Sequence, residues 1–237
     1  MNLILLKPDD FIADDRVRLR GRRLEHIRTV HRAEAATELR VGLLNGKMGQ
    51  GLITQIDDNS VELSIVLSET PPEILPVTLL LALPRPKMLK RVLQGVTSLG
   101  VKQIYLINSF RVEKSYWSSP TLQPENLNEQ LLLGLEQARD TILPEVHLRK
   151  RFKPFVEDEL AEICKGTRAL VAHPSDERGT AIEPGTPTTL AIGPEGGFIP
   201  YEVDLLVSNG FLPYSLGKRI LRVEIAVPTL LSKLLPI

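Results

Sequence analysis

The sequence predicts an α/β protein in two parts, a small antiparallel β-barrel followed by a parallel sheet with helices on both faces. Three observations lead there. Up to about Leu67, short alternating apolar and polar runs are split by turn residues, as in a small barrel. Ser68-Glu69-Thr70-Pro71-Pro72-Glu73 then breaks the pattern with two adjacent prolines after polar residues, which marks a linker. Beyond it, wholly apolar runs alternate with helical periods, the grammar of a parallel sheet buried on both faces. Residues 1–70 are therefore read as one domain and residues 74–237 as the other.

In the first part, Asn45-Gly46 lies between Leu39–Leu44 and Lys47–Ile53, and Asn-Gly readily supplies the positive φ angles of a tight hairpin turn. A second hairpin is expected to turn at Asp57-Asp58-Asn59. In the second part, Val77–Leu83 reads as a strand. After Pro86, apolar residues at 89, 92, 93, 96 and 99 form a 3.6-residue stripe, and Gly100 stands where a C-terminal cap belongs, so this is a helix. Val101–Ile107 is the next strand and Pro124–Arg139 the next helix. Arg168–Ala172 and Thr188–Ile192 are two further buried strands. No internal repeat or low-complexity tract is present.

The 237 residues, 43% of them hydrophobic, suffice for a sizeable core and argue against disorder. The 29 basic and 29 acidic side chains cancel, so binding to a polyanion must come from how charge is distributed. A single cysteine, Cys164, excludes an intramolecular disulfide, and the start shows no secretion signal, which predicts a cytoplasmic protein. The apolar runs fall far short of the ~20 residues that span a bilayer, so no membrane role is expected.

Charge is unevenly placed. Arginines stand at 16, 18, 20, 22, 23, 28 and 32, with Glu25 the only acid among them. On a strand, Arg16, Arg18 and Arg20 point to one face and Val17 and Leu19 to the other, which gives the barrel a basic stripe. Arginine's planar fork suits phosphate, so Arg16, Arg18, Arg20, Arg22 and Arg23 are candidate RNA contacts; the bland alternative is a solvated charged face. His26 and His31 lack metal-site spacing with Cys or another His cluster, and no metal site is expected.

Two glycine-bearing loops follow strands in the second part. Ile192-Gly193-Pro194-Glu195-Gly196-Gly197-Phe198 precedes a helix with Pro200 in its first turn, and its glycines let backbone amides approach a ligand of the adenosine type. It lacks the spacing of a dinucleotide or P-loop fingerprint and is also compatible with an ordinary tight turn. Leu216–Ala226 places Lys218, Arg219, Arg222 and Glu224 after Gly217, between a short strand and a helix; alone it reads equally as a solvated basic turn. Side by side, the two loops would sit at the carboxyl ends of parallel strands, where open α/β sheets place ligands.

The stretches GPEGGF (193–198) and LGKRILR (216–222) resemble the second and third knot motifs of the RsmE family, the 16S rRNA uracil-N3 methyltransferases of the SPOUT superfamily. Ser98-Leu99-Gly100-Val101 and Phe110-Arg111 are similar to that family's ELGV and downstream arginine signatures, and Glu136-Gln137 with Pro144-Glu145 to its Gln-to-Pro stretch. Because the family places a PUA-like barrel before a SPOUT domain, the resemblance covers nearly the whole chain. It differs at Gly95 (often Lys), Ser98 (Glu), Asp140 (Arg) and Ile225 (Thr), and Met1-Asn2-Leu3-Ile4 lacks the family's early arginine.

The resemblance implies a trefoil-knotted parallel sheet, S-adenosyl-L-methionine (SAM) as cofactor, and methylation of a uridine N3 in 16S rRNA of the small ribosomal subunit. It also implies a homodimer packed through the C-terminal helix from about Glu224, whose Leu230, Leu231, Leu234 and Leu235 a monomer would leave partly exposed. Pro228 should kink that helix or mark a late start. The cofactor residues it implies are His173, Ile192, Gly193, Gly196, Gly197, Leu216, Gly217, Ile220 and Leu221, and Arg111 joins the RNA contacts. Catalysis would fall to Glu195 or Glu224 for proton loss, and to Arg219 or Arg222 for charge on the uracil oxygens or for a phosphate. Glu224 can equally serve as an ion-pair partner of Arg222. Methylation at another RNA position, and a non-catalytic role in ribosome assembly, remain as alternatives.

Overall fold

The computed structural model describes residues 2–31, 33–174 and 183–235, with nothing said of the His31 side chain; Arg32 lies outside the described residues. The chain divides into two compact units, one formed by 1–73 with 132–143 and the other by 74–131 with 144–237.

The first unit contains β1 (Ile4–Leu6), β2 (Phe11–Ala13), β3 (Arg16–Leu19), α1 (Arg22–His26), β4 (Glu38–Leu43), β5 (Met48–Ile56) and β6 (Val61–Glu69). They form one six-stranded sheet in the order β1-β4-β5-β6-β3-β2. The pairs are antiparallel except β1 with β4, which is parallel. An alternation pattern reports which face a side chain takes, and strand direction is invisible to it. Val17, Leu19, Val41, Ile53, Leu63 and Ile65 fill the inner face. Leu3, Leu5 and Met48 pack on Leu135, so β1 is buried on both sides, as its unbroken apolar run requires.

Both expected hairpins turn where the sequence places them. At the first, Leu43 and Lys47 pair, and only Asn45 takes a positive φ, 59°. Gly46 is not left-handed, because the turn is tied sideways: Asn45 N donates to the Thr141 carbonyl and Leu143 N to Asn45 Oδ1. At the second, Asp57 Oδ1 accepts from Asn59 N and Ser60 N, and these bonds hold its carboxyl below the usual carboxylate range.

The second unit begins with β7 (Leu75–Ala82), α2 (Pro86–Ser98), β8 (Val101–Ile107), α3 (Pro124–Ala138), whose end belongs to the first unit, and β9 (Glu145–Arg149). It continues with α4 (Phe152–Pro154), α5 (Leu160–Ile163), β10 (Arg168–Ala172), β11 (Thr188–Ile192), α6 (Pro200–Ser208), β12 (Leu212–Tyr214) and α7 (Val223–Ser232). All six strands are parallel, in the order β12-β10-β11-β7-β8-β9. On α2 the predicted stripe of Leu89, Val92, Leu93 and Val96 is buried, and Gly100 takes φ 86°. Strand β9 is absent from the sequence expectation: at the sheet's edge, Val146 and Leu148 alternate with His147 and Arg149 instead of forming an apolar run.

The C-terminal helix corrects one expectation. Leu230, Leu231 and Leu234 are buried within the chain itself and Leu235 is half-buried, so they do not form an exposed cluster. Helix α7 packs against α2. It starts at Val223 and runs through Pro228, which is exposed on its outer side. Among the described residues, no helix is long and apolar enough to cross a membrane, and no cluster of His, Cys, Asp and Glu could hold a metal ion.

Candidate functional site

The sheet progresses from β7 outward to β8 and β9, then returns to the other side of β7 with β11, β10 and β12. The crevice of such a sheet opens where the order reverses, beyond the strands' carboxyl ends. Three loops leave adjacent strands there: 173–174 after β10, 193–199 after β11 and 215–222 after β12.

These loops wall a cavity of about 430 Å³, within the roughly 300–1,000 Å³ usual for small-molecule sites. From the first come His173 and Pro174, and from the second, with Ile192 at the end of β11, Gly193, Glu195, Gly196 and Gly197. The third adds Leu216, Gly217, Arg219, Ile220 and Leu221. All nine residues expected to hold a cofactor thus stand on one cavity.

Backbone geometry explains the glycines. A Cβ on Gly193 would lie 2.7 Å from Phe198 N and 3.1 Å from the Gly197 carbonyl carbon, because the chain folds back on itself, with Gly197 N donating to the Pro194 carbonyl at 2.7 Å. Gly197 takes φ 73°, and nothing lies within 4 Å of where its Cβ would be. The loop is therefore closed at one glycine and open at the other. Gly196 is different. A Cβ there would meet Arg111 Cδ at 2.8 Å, so its smallness makes room for a protein side chain.

Arg111, expected on RNA, lines this cavity and donates to the Gly196 carbonyl. Its loop is fixed by Glu202, a buried carboxylate of α6: Oε1 accepts from Phe110 N at 2.7 Å and Oε2 from Ile199 N at 3.0 Å. Sequence reasoning passed over Glu202. The available signal was a Glu two positions after Pro200, where a first-turn carboxylate reaches back to the orphan amide preceding the helix.

A second cavity of about 610 Å³ shares Glu195, Ile220 and Leu221 with the first, and is otherwise lined by Arg85, Lys87, Met88, Arg91, Arg222 and Glu224. The four catalytic candidates are thereby distributed. Arg219 faces the first cavity, Arg222 and Glu224 the second, and Glu195 both. Glu195 Oε1 accepts from Arg85 N at 3.1 Å, and Glu224 lies 3.9 Å from Arg222 Nη1, a loose contact. None of Gly95, Ser98, Asp140 and Ile225 lines either cavity.

Arg16 and Arg18 on β3, and Arg20 just past its end, are exposed and Val17 and Leu19 buried, as the alternation requires. The stripe is not free of acids in space, however. Arg18 bonds Glu62, Arg22 forms a paired bridge to Glu136, Arg23 grips Asp10 and the Leu5 carbonyl, and Arg28 meets Asp58. These partners are 13 to 114 positions away or on a neighbouring strand, so a local count of acids misses them. Arg16 and Arg20 form no ion pair among the described residues.

The model of the RNA methyltransferase domain family matches residues 71–235. The chain belongs to that family. A Treponema pallidum relative named ribosomal RNA small subunit methyltransferase E is 28% identical over 232 residues, which cover 95% of this chain and 87% of the relative. A Borreliella burgdorferi relative, ribosomal RNA small subunit methyltransferase E 1, is 26% identical, with 95% and 94% covered. Among family folds of known structure, a Legionella pneumophila methyltransferase in complex with the bound cofactor SAM aligns at TM-score 0.78 and 26% identity, over 98% of this chain and 96% of that one. The Neisseria gonorrhoeae ribosomal RNA small subunit methyltransferase E, bound to S-adenosyl methionine, aligns at TM-score 0.76 and 21% identity, over 98% and 95%, a likeness of fold. The names of these relatives agree with the RsmE resemblance, and the family is one of RNA-methylating enzymes.

Proposed function

We propose that this protein transfers the methyl group of S-adenosyl-L-methionine to N3 of a uridine in the 16S rRNA of the small ribosomal subunit, acting in the cytoplasm as a homodimer. The observation that carries the reading is the first cavity, where His173 and the two glycine-bearing loops converge beyond three adjacent parallel strands. The Legionella pneumophila methyltransferase, whose structure holds bound SAM, supports the choice of cofactor.

The residues present fit that cofactor. Gly197 opens its backbone toward free space, and Ile192, Leu216 and Leu221 give the cavity an apolar wall on which an adenosine can lie. When bound, SAM supplies a methyl on a sulfonium, already activated for transfer. The remaining work falls to the chain. Uracil N3 carries a proton and is a poor nucleophile until that proton leaves, so the site must accept it and favour the anion. Glu195 stands where the two cavities meet, with one carboxylate oxygen engaged by Arg85 N and the other left for the N3 proton. Glu224, beside the second cavity only, is the other candidate. Arg219 and Arg222 offset charge on the uracil oxygens or hold a phosphate, and as cations both are poor partners for a sulfonium. The target base must leave its stack to enter.

The homodimer is supported by large apolar side chains left in water on the second unit away from the cavity wall, with Phe110 78% exposed and Tyr201 and Ile225 about half so. We read the segment 215–222 as the threaded part of a trefoil knot. Arg16, Arg18 and Arg20 serve as RNA contacts, with Arg16 and Arg20 forming no ion pair among the described residues.

Calorimetric titration with SAM, followed by single-turnover methyl transfer to small subunits or their RNA, tests this reading. Wild-type protein should bind SAM and label the RNA. Arg222→Ala should keep SAM affinity within about twofold and lose roughly 100-fold in transfer, the scale for one group that stabilises developing charge. A protein without SAM affinity contradicts the proposal, and equal loss of binding and transfer makes Arg222 a structural support instead.

A further inference from the structure

Of the nine residues expected to hold the cofactor only Ile220 and Leu221 also line the second cavity, and its chemistry is otherwise unlike that of the first. Arg85, Lys87, Arg91 and Arg222 face Glu195 and Glu224, four cations against two carboxylates, in a chain of zero net charge. Lys87 and Arg91 are four residues apart on α2 and so share one face of the helix. Both are exposed, and neither forms an ion pair among the described residues. The two carboxylates are both engaged: Glu195 accepts from the Arg85 amide, and Glu224 lies beside Arg222. The excess positive charge is left facing the cavity. Structural salt-bridge networks intersperse opposite signs, whereas a concave surface lined with unpaired cations draws in a polyanion.

Its position is equally informative. The wall between the cavities is made of Glu195, Ile220 and Leu221, so a group seated among these cations is one residue's thickness from the first cavity. Ile220 is 84% exposed on that wall, an apolar surface against which a base can stack.

Resting on the function proposed above, we infer that this second cavity holds the phosphodiester backbone of the substrate RNA next to the target nucleotide. Lys87 and Arg91 take one phosphate from the α2 side and Arg222 an adjoining one from the opposite wall, while the everted base passes over Ile220 toward the first cavity. The two clefts divide the labour, one cationic for backbone and one apolar for cofactor. Phosphate contacts of this kind fix register without reading sequence.

The test is the double variant Lys87→Ala/Arg91→Ala, with Lys87→Glu as a second probe should the double variant fold poorly. SAM affinity is measured by calorimetry, and single-turnover methylation is followed against small-subunit RNA concentration at several salt concentrations. The expected result is unchanged SAM affinity and a half-saturating RNA concentration raised about tenfold or more. At saturating RNA the rate should stay within about twofold, and the salt slope should fall by roughly 0.7 per cation removed, as for single-stranded RNA. Wild-type methylation accompanied by an unaltered RNA requirement and salt slope in both variants overturns this inference alone, and points to a protein partner or the other subunit on this face. A wild-type protein that methylates no RNA overturns it together with the function on which it rests.

Discussion

The loops of the first cavity and the arginine-rich segment from Arg16 to Arg28 are specified in opposite ways. In the loops the backbone decides. Gly193 leaves no room for a Cβ, Gly197 needs a left-handed φ, and the cavity follows from where adjacent parallel strands end. In the arginine segment side-chain pairing decides. Of six described arginines, Arg18, Arg22, Arg23 and Arg28 are held by Glu62, Glu136, Asp10 and Asp58, and only Arg16 and Arg20 remain for an outside partner. A glycine's demand can be read at its own position, whereas the availability of a charge depends on residues far along the chain.

The contrast can be broken by substitution. The largest effect is expected at Gly193→Ala, where the added methyl drives into the Phe198 amide and flattens the turn. SAM affinity should fall at least roughly 100-fold by calorimetry, equivalent to about 2.7 kcal/mol. Retention of affinity would mean that the loop yields and that backbone geometry does not define the cavity.

A smaller and different effect is expected at Arg22→Ala. Glu136 has a side chain only 2% exposed, and losing its paired arginine strands a buried carboxylate. Arg22 itself is 46% exposed, so the cost should fall below the roughly 3–5 kcal/mol of a fully buried pair, at about 2–3 kcal/mol. Thermal unfolding should shift down by roughly 4–12 °C with SAM affinity intact. Unchanged stability with weakened RNA binding would return Arg22 to the RNA contacts and undo the comparison.

The smallest effect belongs to Arg16→Ala/Arg20→Ala. With no ion pair to lose, stability should stay within about 0.5 kcal/mol. The salt dependence of RNA affinity should flatten by roughly 0.7–0.9 per arginine. Adding Arg18→Ala should contribute less than either, because Glu62 already neutralises it. An effect of Arg18→Ala as large as the other two would show that the Glu62 bridge opens for RNA.

Much of this was legible in the sequence, for physical reasons that also mark its limits. The parallel strands other than edge strand β9, the α2 stripe and both site loops announce themselves through periodicity or glycine chemistry, which are local. The parallel pairing of β1 with β4, the return of 132–143 to the first unit and the burial of Leu230, Leu231 and Leu234 within the chain are long-range facts with no local trace. Arg85, Lys87 and Arg91 were readable as residues but not as a site. They become one only when α2 is brought opposite Arg222.

The most direct test of the central claim is mass mapping of the nucleosides in small-subunit rRNA after incubation of unmethylated subunits with the protein and SAM. The account predicts a single new methyl, on N3 of a uridine, absent when SAM is withheld. A methyl on a ribose, on another base or at another atom of uracil, or no methyl at all from a protein that binds SAM, would contradict it.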